Sequence, residues 1–211
     1  MPLLSLPGAD VTRTVRAVLF DMDGTLVSSE PVADRAWTRW ARRHGLDTDR
    51  VVVSAHGRPT SDTVRQWLPG VERARLEREV AWLLEYECGD LDGVAAIPGA
   101  LELLAAVREA GLPWAVVTSA ERPLATVRLA ACAIAPPLLV CVEDVARGKP
   151  EPDGYLLAAA GLGVDPADCL VVEDSEVGVE AGRRAGARTV GLGEGGWLAD
   201  HRIGSLLELV G

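Results

Sequence analysis

The sequence predicts an α/β fold, a Rossmann-like parallel sheet with a small helical domain inserted into it. Three observations carry that expectation. From about residue 99 onward, short apolar runs alternate with helical periodicities, the pattern of strand–helix crossovers in a parallel sheet. Between about 30 and 92 the periodicity is helical throughout, with no strand-like run. The apolar runs end in polar groups, Asp21 and Asp23, Thr118 and Ser119, Glu173 and Asp174. An open parallel sheet binds its ligands at those carboxyl ends.

In chain order, residues 1–15 read as a loose lead-in and a first strand is expected at 16–21. Ser29 is a candidate helix cap with Pro31 in the first turn. Trp37, Trp40 and Ala41 then follow at helical spacing, and His44-Gly45 ends that helix. Pro59-Thr60 opens a second helix carrying Val64, Trp67 and Leu68, and Leu76, Val80, Leu83 and Leu84 mark a long third one closing at Cys88-Gly89. Beyond a linker at 92–99, helices are expected at 99–110, 122–132, 153–161, 176–185 and 203–210, and strands at 114–117, 138–141, 169–172 and 188–192. On this reading residues 16–27 and 95–211 form the core and residues 28–94 a helical cap above the strand ends, hinged at its two connections.

With 211 residues the chain has room for one core plus a small second domain. Its net charge of −10 argues against nucleic acid or an anionic membrane surface as partner. Cys88, Cys132, Cys141 and Cys169 form neither a C-x-x-C pair nor a zinc pattern, which suits reduced cysteines in the cytoplasm. The first residues have no basic start and no long apolar run, so no secretory signal is expected. Of 21 basic residues, 20 are arginine, and Lys149 is the single lysine. A compact ammonium suits a place where a point charge meets a carboxylate or phosphate head-on.

The stretch Asp21-Met22-Asp23-Gly24-Thr25 carries the most chemistry. An isolated D-x-D-G is also a turn signal, but here an apolar strand delivers it to the ligand-binding edge of the sheet. Two carboxylates held close repel unless a cation neutralises them, and Mg²⁺ prefers such oxygens. Hydroxyls at Thr118 and Ser119 and the ammonium of Lys149 suit a phosphate. A carboxylate beside metal and phosphate is a ready nucleophile.

Taken together, these motifs resemble those of the haloacid dehalogenase superfamily of phosphotransferases. Asp21-x-Asp23-Gly24-Thr25, Thr118-Ser119, Gly148-Lys149-Pro150-x-Pro152-Asp153 and Glu173-Asp174 follow in the family's order across about residues 16–192. The resemblance implies an Mg²⁺-dependent phosphatase acting through an aspartyl-phosphate. Asp21 would be the nucleophile and Asp23 the acid and base. Thr118, or Ser119, would hold the phosphoryl group, and Lys149 would neutralise it. Asp21, the Asp23 carbonyl and Asp174 would bind the metal, with Glu173 either a ligand or the group that orients one.

The turn His56-Gly57-Arg58-x-Thr60-x-Asp62 resembles the cap loop of the family's glycerol-phosphate and 2-deoxyglucose-6-phosphate phosphatases. His56 and Arg58 are therefore candidate substrate contacts, though local packing explains them equally well. Many relatives carry aspartate where this chain has Ser28, while Glu30 keeps the family's acid and joins the substrate-side candidates. Asp23 argues against a dehalogenase, and a cap without lysine against a phosphonate hydrolase. A β-phosphoglucomutase-type mutase and a non-catalytic binding protein on the same fold remain as alternatives. The expected partner is a small phosphorylated metabolite, for a monomer or weak dimer.

Overall fold

In the computed structural model, residues 15–196 and 198–210 are described, so all but the end of the expected lead-in lies outside them. The centre of the fold is β1 (Ala17–Phe20), four residues with no exposed surface. Its side chains alternate between two packed faces. Val18 and Phe20 enter one apolar cluster, and Ala17 and Leu19 enter the other, as the two-residue period of a strand covered on both sides requires.

On either side of β1, in parallel register, run β4 (Trp114–Val117) and β6 (Cys169–Glu173). Beyond them lie β5 (Leu139–Val140), β7 (Arg188–Leu192) and β8 (His201–Ile203), giving a parallel sheet in the order β5-β4-β1-β6-β7-β8. The first face is covered by α5 (Ala100–Glu109), α6 (Arg122–Ala131) and a 3-10 turn at Leu206–Leu209. The second is covered by α7 (Asp153–Leu162) and α8 (Glu176–Arg184). Neighbouring strands thus leave β1 in opposite directions, which opens a crevice at its carboxyl end.

Between β1 and α5 the chain builds a separate apolar cluster from α1 (Glu30–His44), α2 (Thr48–Ala55), α3 (Thr60–Trp67) and α4 (Arg73–Gly89). Trp37, Trp40, Val64 and Leu83 are buried there. Gly45 ends α1 at φ 65, in the left-handed region where a side chain is strained. The two crossings between block and core lie side by side, as β2 (Val27–Ser28) pairs antiparallel with β3 (Ala95–Ala96).

Four expectations need correction. The segment near 203–210 is the edge strand β8 followed by a 3-10 turn rather than a helix, because the apolar Ile203 completes the sheet. Helix α7 continues past Gly161 to Leu162 and ends at Gly163, whose φ is 68. Helix α2, which the tryptophan-led pattern did not reveal, starts where Asp47 accepts a hydrogen bond from the Arg50 amide. Ser29 makes no side-chain cap on α1; its hydroxyl donates instead to Asp23 Oδ1, at 2.5 Å.

Candidate active site

The site forms where β1, β4 and β6 end together. Asp21 follows β1 directly, and its amide donates to the Val172 carbonyl of the neighbouring strand at 2.9 Å. Gly24 turns the chain away with φ 86, and a Cβ there would lie 2.1 Å from Asp174 Oδ2. Glycine therefore both makes the turn and lets the Asp174 carboxylate close in on the loop. Thr25 Oγ1 donates to Asp174 Oδ1 at 3.1 Å and fixes its plane.

Lys149 comes in from the loop before α7. Its Nζ donates to Asp21 Oδ1 and to Glu173 Oε1, both at 2.5 Å. Glu173 is fully buried. Its Oε1 also accepts from the Tyr155 hydroxyl at 2.9 Å, while Oε2 accepts from the Asp174 amide, the Ser175 amide and the Ser175 hydroxyl. Gly178 makes room for it, since a Cβ at that position would fall 1.7 Å from Glu173 Oε1. Five donors on one buried carboxylate mark a group that is locked in place.

The electrostatics are unbalanced. Oxygens of Asp21, Glu173 and Asp174 lie within 4.8 Å of one another. Burial, and next the charge of Glu173, push the carboxyl of Asp21 well above the ordinary aspartate range. The same two causes raise Asp174 to about 7. Burial works against the ammonium of Lys149, but Asp21 and Glu173 outweigh it and hold its pKa well above the usual lysine value. One ammonium faces three carboxylates, an excess of negative charge that fits a hard divalent cation.

Asp23 lies on the other side of Gly24. Its Oδ1 accepts from Ser29 Oγ and, at 2.9 Å, from Arg128 Nη1. Thr118, at the end of β4, is buried, and its Oγ1 accepts from the Ala120 amide at 3.0 Å. That leaves its own hydroxyl proton free to donate.

A cavity of about 210 Å³ runs from these groups up to the helical block. Glu30, His56, Arg58 and Ser119 line it with Asp21, Asp23, Thr118, Lys149 and Asp174, so the structure brings together every candidate except Glu173, which sits behind Lys149. At its outer end His56 Nε2 is 2.8 Å from Asp34 Oδ1, and Arg58 Nη1 donates to Gln66 Oε1 at 2.5 Å. Trp37 and Ala33 give this end an apolar wall.

Sequence reasoning missed Arg128, Glu87, Glu121 and Tyr155. Arg128 shares a helix face with Leu124, Ala125 and Leu129, and Glu87 falls four residues after Leu83 on the buried face of α4. A charge on an apolar stripe was the available signal. Glu121 accepts from Thr60 Oγ1 at 3.2 Å, and burial raises its pKa.

A family profile described as haloacid dehalogenase-like hydrolase matches residues 15–186. The chain is 43% identical over 178 residues to hexitol phosphatase A of Escherichia coli (strain K12), covering 84% of this chain and 82% of that protein. It is 32% identical over 192 residues to 2-deoxyglucose-6-phosphate phosphatase 1 of Saccharomyces cerevisiae, covering 82% and 78%. Among solved structures, β-phosphoglucomutase from Clostridium difficile superposes with a TM-score of 0.84 over 93% of both chains at 22% identity, a likeness of fold alone. The ordered motifs, the sheet and the profile agree: the chain belongs to the haloacid dehalogenase-like hydrolases.

Proposed function

We propose that this protein is an Mg²⁺-dependent phosphatase of small phosphorylated sugars or polyols, working through an aspartyl-phosphate on Asp21. The observation that carries the reading is the pairing of Asp21 with Lys149 beside Asp174 and Asp23, at the inner end of a cavity whose outer end carries His56, Arg58 and an apolar wall. The relatives named for hexitol phosphate and 2-deoxyglucose-6-phosphate support the substrate class.

Phosphate-monoester hydrolysis is among the slowest uncatalysed reactions, so the site must lower the barrier by roughly 20 kcal/mol. Positioning and preorganised charge are the means. Lys149 holds Oδ1 of Asp21, leaving Oδ2 to attack phosphorus. Thr118 donates its hydroxyl to a phosphoryl oxygen, with Ser119 beside it. As the ester bond breaks, Asp23 gives its proton to the departing alkoxide. In the second half Asp23 takes a proton from water, which attacks the aspartyl-phosphate and releases phosphate. Asp21, Asp174 and the Asp23 carbonyl would hold Mg²⁺, and Glu173 keeps Lys149 and Asp174 in place from behind. When bound, the metal offsets the negative charge that separates nucleophile from phosphate.

Residues 28–94 act as a cap in this reading. The leaving group lies against α1 and the loop carrying His56 and Arg58, where Glu30 and Glu121 offer acceptors for hydroxyls. The test is a panel of phosphorylated sugars and polyols assayed for free phosphate with Mg²⁺ and after exhaustive chelation. Release that stops with chelation and returns with Mg²⁺ is expected. Full turnover without metal, or isomerisation of β-glucose-1-phosphate without release, would contradict it.

A further inference from the structure

Arg128 belongs to none of the sequence motifs, yet it joins the helical block to Asp23. It lies on the buried face of α6 and is 4% exposed. Its guanidinium divides between two carboxylates. Nη1 donates to Asp23 Oδ1 at 2.9 Å, and Nη2 donates to Glu87 Oε2 at 2.5 Å. Glu87 is 3% exposed and comes from the last turns of α4, just before the chain returns to the core.

The other root of the block reaches the same atom. Ser29, which immediately precedes α1, donates to Asp23 Oδ1 at 2.5 Å. The outgoing strand β2 and the returning strand β3 are paired next to it. Both crossings between block and core are therefore tied to one oxygen of Asp23. Among the described residues, no hydrogen bond is made to Oδ2.

A buried ion pair does little for net stability compared with apolar side chains of the same volume. What a guanidinium provides is a planar fork that fixes the orientation of its acceptors. It also stays protonated throughout, so it cannot exchange protons with the group it holds.

We propose that Arg128 is a positioning residue for proton transfer: with Glu87 as its anchor on the block, it holds Asp23 so that Oδ2 is the oxygen that serves the leaving group. The proposal rests on the phosphatase reading with Asp23 as proton donor. As the phosphorus–oxygen ester bond breaks, its electron pair goes to the leaving oxygen. The proton on Asp23 Oδ2 moves to that oxygen, and Asp23 is left as the carboxylate that Arg128 and Ser29 hold. Arg128 lines the same cavity, but in this proposal it acts on the departing oxygen only through Asp23. Because Glu87 rides on α4, the seating of α4 on α6 sets whether Asp23 is aligned.

The experiment compares an ester that needs a proton donor with one that does not. The alkyl ester is whichever of sorbitol 6-phosphate, 2-deoxyglucose-6-phosphate and glycerol-1-phosphate the wild type turns over fastest. The aryl ester is para-nitrophenyl phosphate, whose leaving group departs as a stable anion. Because Asp23 also activates water in the second half-reaction, which both esters share, the readout is the single-turnover rate of ester cleavage. Arg128→Met is expected to lower it about thirtyfold for the alkyl ester and less than about threefold for the aryl ester, with the half-saturating ester concentration changed less than about twofold for both. Glu87→Met is expected to give a smaller loss of the same selectivity. The double variant removes both charges, leaves neither buried alone, and is expected to lose no more than Arg128→Met does. Equal losses on the two esters, or none on either, would overturn the proposal while the wild type still releases phosphate. Losses that multiply in the double variant would overturn the role of Glu87 as anchor. A wild type releasing phosphate from neither ester would overturn the phosphatase reading itself, and the role of Arg128 with it.

Discussion

Lys149 Nζ lies 2.5 Å from Oδ1 of Asp21, in a chain whose 20 other basic residues are all arginine. The same ammonium reaches Glu173 Oε1 and sits 5.3 Å from the centre of the Tyr155 ring. A guanidinium is too wide to place one charge between those two carboxylates and spreads the charge it carries. Lys149→Arg should therefore lower kcat about a hundredfold or more, as loss of one preorganised donor does elsewhere. Phosphate release at saturating Mg²⁺, with a thermal melt to verify folding, checks this. A rate within about threefold of wild type would remove Lys149 from its role.

Gly178 tests the support behind Lys149 without touching the cavity. Its Cβ in Gly178→Ala would fall on the Glu173 carboxylate, which has no exposed surface to retreat into. Overpacking of this kind costs about 1–3 kcal/mol. The variant should melt at a lower temperature and, below its melting point, turn over about tenfold more slowly because Lys149 loses its second partner. Unchanged kcat alongside a lowered melting temperature would confine Glu173 to a structural role.

Arg58 lines the outer cavity and is held by Gln66. Its fork can donate to hydroxyls of a sugar or polyol. Arg58→Ala should lower kcat/KM for the best polyol or sugar phosphate about tenfold, or ~1.4 kcal/mol, with little change for para-nitrophenyl phosphate. Equal loss on both esters would place Arg58 in folding or in the chemistry. Loss on neither would leave it a surface residue.

The helical block carries its own acid sensitivity. Glu79 Oε2 accepts from Trp40 Nε1 and meets His44 Nε2, each at 3.0 Å, in a nearly buried pocket. Burial raises the Glu79 carboxyl, but the hydrogen bonds from His44 and Trp40 outweigh it and set its pKa below the ordinary 4.5. Between that folded value and 4.5 the unfolded chain binds more protons. The stabilisation is thus complete above 4.5 and is lost as pH falls through the folded value. Between about pH 5 and pH 3, the melting temperature of wild type should fall more steeply than that of Glu79→Gln. Parallel curves would show that Glu79 does not contribute this linkage.

Residues that end strands were legible because a parallel sheet always delivers its strand ends to one edge. Asp21, Thr118 and Glu173 follow from that rule with Gly24 as the turn. The groups that tune the site come from elsewhere. Tyr155 and Arg128 reach it from helices covering opposite faces of the sheet, and Glu87 comes from the inserted block. Their contacts span 18, 105 and 41 positions in the sequence, and no local period encodes such pairings. Ser29 shows a local signal losing to a tertiary one, since its hydroxyl turns from the helix it precedes to Asp23. The short β2–β3 ladder and β8 were too brief to show alternation, and only their partners define them as strands.

The central claim is that Asp21 carries the phosphoryl group. Acid quench of Asp23→Asn during turnover of para-nitrophenyl phosphate, followed by peptide mass analysis, reads this directly. Asparagine at 23 cannot activate water, so the intermediate should accumulate, and the peptide with Asp21 should bear one phosphoryl group that hydroxylamine removes. The double variant Asp21→Asn/Asp23→Asn should carry none. Phosphate on any other residue, or wild-type turnover by Asp21→Asn, would contradict the account.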